Sequence, residues 1–408
     1  MVKNLGNKNI LIHSLTFYPD QVSTASLYFE IAKNFVRKGA NVTVFTSSPH
    51  YNPPSDLQDK LTPYLGFRKC EIDGIKVVSV FQVKTKNIPL RAVMLLYFHI
   101  CFIIFSISKF EYDVILTPSP PLTSGLLSGV FARIKGVKSI YNVQEIHPDM
   151  LLKQNSNIKL FLPLLKLIER RTYHYSDKIV TIHNRFTETL ISRTEKNKLI
   201  CIPNFENSEY FIDQNAKKLE KEYFSGGDSF ILGYFGNVGF LQDWDLLIEG
   251  LIELNESQSI DLLIIGGGGE FERLQELSLE YNFLTVMPYK TKRELNTYIN
   301  LIDAHVIAMT PASDEDGLPS KIFSILGIGV PIIAITNEQS PMSEILLMSR
   351  NAVISPLGDK NGFVNNVMGL LQEDIILDSE YSKTYIRENY SKNKVLESYL
   401  TLINSLLK

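Results

Sequence analysis

Short apolar runs alternate with amphipathic helical segments along most of the chain. Strands buried on both faces read as continuous runs of β-branched residues, so this alternation predicts parallel sheets covered by helices. Residues 9–14 read as a first strand. Residues 24–38 then place Leu27, Ile31 and Phe35 at helical spacing and stop at Gly39. Further strands are predicted at 41–46, 76–80, 113–117, 138–142 and 178–181, where β-branched content and turn-rich flanks favour strand over helix.

Near Ile202-Pro203-Asn204 the pattern restarts. A polar stretch, 217–228, precedes strands expected at 230–235, 260–265, 284–287, 304–308 and 331–335. Helices are expected between them at 243–255, 271–280, 292–302 and 320–326. The fold class is therefore α/β, with two Rossmann-like halves in succession. Residues 383–407 read as a final helix carrying Tyr385, Tyr390, Val395, Tyr399 and Leu402. The expected division is 1–200, 201–382 and a terminal helix, 383–408, that packs back on the first domain. Two such halves leave a cleft, and open parallel sheets bind ligands beyond the carboxyl ends of their strands.

Three segments could hold an anion there. Phe235-Gly236-Asn237-Val238-Gly239 follows a strand and precedes a helix, which makes either a tight turn or a diphosphate-sized site at a helix N-terminus. Gly266-Gly267-Gly268-Gly269 follows the next strand without the spacing of a dinucleotide fingerprint, so a mononucleotide fits better than a dinucleotide. The richest segment, 311–331, clusters Asp314, Glu315 and Asp316 before Pro319-Ser320-Lys321. Ser320 can cap the helix that begins there, and Lys321 in its first turn opposes the helix dipole. A cation at that place makes sense if an anion shares the site; the bland alternative is an acidic loop before a core helix.

Composition narrows the classes. The chain has 408 residues, a net charge of −3 and 45% hydrophobic residues. That describes a folded protein without the basic excess of a nucleic-acid binder. Cys70, Cys101 and Cys201 share no metal-ligand spacing and each sits in an apolar setting, so buried thiols are expected. The N-terminal residues lack an apolar signal region, which makes a cytoplasmic location the default expectation.

The residues also resemble the GT4 family of retaining glycosyltransferases of GT-B fold, and within it the bacterial polysaccharide transferases of fucosamine-transferase type. The resemblance is carried by Phe17-Tyr18-Pro19, residues 37–44, residues 117–122, Gln144-Glu145-Ile146-His147-Pro148 and Ile202-Pro203-Asn204. In the second half it is carried by Gly236-Asn237-Val238-Gly239, Met287-Pro288-Tyr289, and Leu318-Pro319-Ser320-Lys321 running to Gly329-Val330-Pro331. It implies donor binding by the second half: Gly236, Asn237 and Gly239 against the diphosphate, with Gly266 and Gly267 beside them. Pro288 and Tyr289 would line the base pocket, and Leu318, Pro319, Ser320 and Ser324 would complete the donor site. Asp316 matches the first glutamate of the family's acid-x7-acid motif, and Lys321 would face phosphate. Tyr18, Gln144 and His147 are acceptor-side candidates.

Several family charges are absent. The second glutamate of the motif matches Ser324. The family's arginine and lysine around the diphosphate match Asn237 and Gln242, and its His-Asp pair matches Gln144-Glu145. Lys321 is expected to replace the missing cations. A helix N-terminus and a lysine stabilise a departing diphosphate without a metal, and no DxD motif ends a strand, so a metal-independent reaction with no cofactor is expected. Glu145 either orients or deprotonates the acceptor hydroxyl or forms a loop ion pair. His147 either meets ligand or packs its turn, and His13 and His183 lie near strand ends. The resemblance further implies a UDP-linked N-acetylated amino sugar, an acceptor that is lipid-linked or a glycan, and a place in O-antigen or capsule synthesis. Competing classes are a non-hydrolysing sugar-nucleotide epimerase, a nicotinamide oxidoreductase and a non-catalytic membrane-associated binding protein.

Residues 92–107 are almost wholly apolar, flanked by Arg91 and Lys109 and interrupted by His99. Sixteen residues fall short of the roughly twenty needed to span a bilayer. A domain helix whose outer face meets lipid is expected. Residues 159–171 mix Leu160, Phe161, Leu164, Leu165 and Leu167 with Lys159, Lys166, Arg170 and Arg171, which suits an anionic surface. The expectation is peripheral attachment to the inner face of the cytoplasmic membrane.

Overall fold

The computed structural model describes residues 4–20, 22–50, 65–85, 87–108, 111–154, 156–205, 229–311 and 321–407. It divides into two compact units, one of residues 1–204 with 393–408 and one of residues 205–392.

The first unit holds an eight-stranded sheet: β1 Asn9–His13, β2 Asn41–Ser47, β3 Phe67–Ile72, β4 Ile75–Val80, β5 Val114–Pro118, β6 Lys138–Val143, β7 Lys178–Thr181 and β8 Leu199–Cys201, in the order β3-β4-β2-β1-β5-β6-β7-β8. Every pairing is parallel except the β3–β4 hairpin. That hairpin turns on Asp73 and Gly74, both at positive φ, the geometry of a two-residue primed turn. Strand β3 is exposed along almost its whole length and mixes Phe67, Cys70 and Ile72 with charged residues, so it lacks the apolar run of the expected strands; the short β8 and the strand Ala352–Ser355 of the second unit were not expected either. Cys70 lies on it and is exposed, contrary to the expectation of three buried thiols; Cys101 is buried and Cys201 partly so.

The second unit holds a six-stranded, wholly parallel sheet: β9 Phe230–Asn237, β10 Ile260–Gly267, β11 Leu284–Pro288, β12 Ala304–Ala308, β13 Ile332–Ile335 and β14 Ala352–Ser355, in the order β11-β10-β9-β12-β13-β14. Its two faces pack separate cores, one around Trp244, Leu262 and Ile264 and one around Phe235, Ile307 and Phe323. The chain leaves β9 for β10 and β11 on one side and returns at β12 on the other. The strand order therefore reverses between β9 and β12, the place where a parallel sheet opens a crevice beyond its strand ends.

The terminal segment is two helices, Ser379–Tyr390 and Lys392–Leu406, broken at Ser391. The first belongs to the second unit, which moves that boundary to 392 from the expected 382. Ser382 donates to Leu326 O at 3.0 Å, Ser379 donates to Gly329 O at 2.9 Å, and Tyr390 packs on Phe323 at 4.5 Å between ring centres. The second belongs to the first unit, with Tyr399 buried against Tyr28.

Candidate functional site

In the second unit, two glycine turns lie backbone to backbone beyond the ends of β9 and β10. Val238 N donates to Gly267 O at 3.0 Å and Glu270 N to Val238 O at 3.0 Å. A Cβ on Gly266 would fall 1.8 Å from Gly236 O, and one on Gly268 would fall 2.2 Å from Val238 O. Only glycine permits this approach. The turn after β9 is held from below by the indole of Trp244, which donates to Gly239 O at 3.0 Å. Gln242 Oε1 accepts from Gly239 N at 3.2 Å, and Asp243 caps the helix Trp244–Leu254 by accepting from Leu246 N at 3.3 Å. Tyr234 donates to Asn237 O at 2.8 Å and meets Trp244 edge-on.

Lys321 opens the helix Lys321–Ile328 and reaches back across the switch point. Its ammonium donates to Phe235 O at 2.6 Å, and a Cβ on Gly236 would sit 2.8 Å from it. The residue as a whole is exposed, while its Nζ reaches inward to Phe235 O. Loss of hydration there lowers its pKa to about 8. His305 on β12 lies between Tyr234 and Phe235, with ring centres 6.0 and 5.7 Å away. Burial first, and the Lys321 charge second, lower its pKa to about 3, which keeps it neutral.

The third wall comes from β11. Pro288 pairs with Gly266, and the Tyr289 hydroxyl donates to Gly267 O at 3.0 Å with its ring against Gly267. The structure thus gathers Gly236, Asn237, Gly239, Gly266, Gly267, Pro288, Tyr289 and Lys321. Ser324 lies one turn along the Lys321 helix and is half-buried. Asp316, Leu318, Pro319 and Ser320, with Asp314 and Glu315, lie outside the described residues. Among the described residues, no group of three or more His, Cys, Asp or Glu could hold a metal ion. Sequence reasoning missed Tyr234, Trp244 and His305. They read as ordinary strand and helix residues, and only the turn geometry gives them a role.

The first unit also gathers polar residues beyond its strand ends. Ser119, after β5, accepts from Gln144 N at 2.9 Å and Glu145 N at 3.3 Å, fixing the loop that follows β6. Gln144 and Asn204 exchange amide hydrogen bonds of 2.9 and 3.3 Å. Glu145 is half-exposed, with its Oε2 3.3 Å from Nε2 of the buried His147. Tyr18 is exposed and stacks on Phe29 at 4.4 Å. His13 is not a ligand candidate: it is fully buried, stacked on Phe102 at 3.6 Å, and its Nδ1 is 2.8 Å from Ser128 Oγ. His183 caps the helix Asn184–Ile191 by accepting from Arg185 N at 2.9 Å. Behind this face Arg193 bridges Glu169, at 2.9 Å, and Asp149.

Residues 229–373, which carry the whole glycine site, match the family described as glycosyl transferases group 1. An uncharacterized glycosyltransferase of Methanocaldococcus jannaschii is 22% identical over 319 residues, covering 74% of this chain and 78% of that protein. An Escherichia coli K12 protein assigned to colanic acid biosynthesis as glycosyl transferase WcaI is 21% identical over 335 residues, covering 78% and 81%. Anabaena HepE, solved in complex with UDP, aligns with a TM-score of 0.71 at 12% identity over 98% of this chain and 100% of its own. WaaG, a glycosyltransferase of lipopolysaccharide biosynthesis, aligns at 0.68 and 12% identity over 97% and 99%. At such identities the structures establish the fold, which is GT-B.

Proposed function

We propose that the chain is a glycosyltransferase whose second unit binds a nucleoside diphosphate-sugar over the two glycine turns. The observation that carries this is the Lys321 ammonium held 2.6 Å from Phe235 O, beside Gly236 and at the switch point of the sheet. Backbone close enough to touch a diphosphate and a cation in the same place are what a departing nucleoside diphosphate requires. Lys321 takes the role of the arginine and lysine that the resemblance leads one to expect at Asn237 and Gln242. Gln242 is already used in holding the turn.

The donor is a uridine diphosphate sugar, a choice supported by HepE having been crystallised with UDP and with UDP-glucose. Transfer retains configuration and needs no metal, with Asp316 near the donor sugar. Glu145, half-exposed beside His147, orients the acceptor hydroxyl or takes its proton. The acceptor is a lipid-linked or glycan chain of a bacterial surface polysaccharide. Likeness to WcaI and WaaG supports that class, and an N-acetylated amino sugar as the unit transferred rests on the resemblance. The test is a thermal-shift panel of UDP-, GDP-, ADP- and TDP-sugars, followed by donor turnover with and without acceptor. A UDP-sugar alone should stabilise the protein. Stabilisation by none of the four would refute nucleotide-sugar binding, and conversion of the donor to its epimer would replace transfer by epimerisation.

A further inference from the structure

We propose that one face of the first unit docks on an anionic lipid bilayer and lies on it without crossing it. The inference deepens the acceptor half of the function above by naming the surface on which a lipid-linked acceptor would be met.

The face is built by three helices, Ile88–Ser108, Leu122–Lys135 and Leu162–Tyr175, which precede β5, β6 and β7. Successive right-handed crossovers running the same way along the sheet put all three on one side of it. The middle helix sits low. A Cβ on Gly125 would meet the Tyr141 ring at 2.4 Å and the Thr172 methyl at 2.8 Å, and one on Gly129 would meet Tyr175 at 2.8 Å. From 122 to 132 the middle helix is buried or half-buried, and the exposed apolar side chains form a ridge on each of its neighbours.

The first ridge is the apolar helix, which reaches 21 residues, longer than the sixteen read from the sequence. By length and composition it could cross a membrane, with a mean hydropathy of 2.1. Its packing is that of a surface helix. Phe98, Phe102 and Phe105 are buried in the core with Phe45, and His99 Nε2 lies 2.7 Å from Thr123 Oγ1 on the middle helix. Its other face carries Val93, Leu96, Ile100, Ile104 and Ile107, spaced three or four apart and 46–67% exposed. Only 28% of the apolar window is buried, where a core helix would bury most of it.

The second ridge is also apolar: Leu160, Phe161, Leu164 and Leu167 are exposed. Here cations are interleaved, with Lys159, Lys166, Arg170 and Arg171 all exposed. Beyond its end a groove of about 520 Å³ runs along the amino ends of β6 to β8, lined by Arg133, Lys138, Lys178 and Lys198. Asp177 and Glu195 in the same groove stand 3.5 Å from Lys138 and 3.7 Å from Lys198, which leaves an excess of positive charge. Apolar ridges flanked by cations match the acyl boundary and phosphate layer of an anionic leaflet. Water-soluble partners match the first ridge, with no charge on its outer stripe, less well.

The experiment is co-sedimentation of the full chain with vesicles of phosphatidylcholine alone and of phosphatidylcholine mixed with phosphatidylglycerol. The variants are Arg170→Ala with Arg171→Ala, Leu164→Glu with Leu167→Glu, and Ile100→Glu with Ile104→Glu. All six positions are exposed, and a thermal melt and far-UV circular dichroism confirm that each variant is folded. The wild type should bind only the anionic vesicles and be released by salt. The arginine pair should weaken partition about twenty-five-fold, about fivefold per cation, and each glutamate pair at least tenfold. Absence of binding to anionic vesicles, binding that salt does not release, or unchanged partition of all three variants would each overturn the proposal. Self-association of the wild type that the glutamate pairs abolish, without vesicle binding, would assign the ridges to a second copy instead. Failure of the donor reading would show differently, as vesicle binding without any nucleotide binding.

Discussion

Lys321→Met separates the charge from the shape at the centre of the proposed donor site. The substitution keeps the length of the stem and removes the ammonium that donates to Phe235 O. A hydrogen bond to a charged group contributes about 1.5–3 kcal/mol, so UDP affinity at pH 7 should fall roughly 10- to 150-fold. The wild-type pH profile gives a second, sharper reading. With a pKa of about 8, the charged fraction drops from about nine-tenths at pH 7 to about one-tenth at pH 9. If the diphosphate binds only the ammonium form, the dissociation constant rises about tenfold over that interval, and binding takes up a proton because the anion raises the lysine pKa. The methionine variant should be flat. Trp244, the single tryptophan of the chain, hydrogen-bonds to Gly239 O in the turn, so its fluorescence is a probe of ligand binding there. The sign for stability is the reverse of a paired lysine. The folded-state pKa lies below the ordinary 10.5, so the cost of the buried charge is full below pH 8. It is relieved as pH rises from 8 toward 10.5. Equal affinities of the two proteins at pH 7, or parallel pH profiles, would refute the reasoning.

Gly266→Ala should abolish UDP binding and lower the melting temperature, since a Cβ 1.8 Å from Gly236 O forces the ends of β9 and β10 apart; a variant that binds UDP as the wild type does would remove the role given to the paired turns. Arg193→Met should destabilise the first unit by about 3 kcal/mol in denaturant titration, because Glu169, held by burial above the usual carboxylate pKa, loses its 2.9 Å partner.

The sheet strands were legible where burial on both faces writes an apolar run, as in β1, β9 and β10, each buried along nearly its whole length. Strand β3 escaped because an exposed edge strand has no such constraint, and β8 and β14 escaped because three or four mostly half-buried residues at a sheet edge are too few to write a run. The break at Ser391 escaped because both flanking segments keep helical periodicity, and a boundary between units is set by what each half packs against. For the candidate site, the residue types drew attention to Gly236, Gly266 and Lys321, but the reason Gly266 must be glycine, the approach of Gly236 O, is visible only in the fold. His13 reads the same as a functional histidine until its stacking on Phe102 is seen.

The departures from the expected charge pattern become coherent at the level of the turn. Where the resemblance places a lysine, Gln242 spends its carbonyl on Gly239 N and so stiffens the glycine loop. Tyr234 does the same from the other side through Asn237 O. A stiff neutral loop lowers the ordering cost of binding, and one desolvated ammonium acts in a weaker dielectric than several solvated ones would. The two arrangements predict opposite salt dependence. A ring of exposed cations loses affinity steeply as ionic strength rises, whereas a single ammonium turned inward against Phe235 O is screened little. UDP affinity that changes less than about twofold between 0.05 and 0.5 M salt fits the second arrangement. A fall of an order of magnitude would mean that cations outside the described site carry the binding.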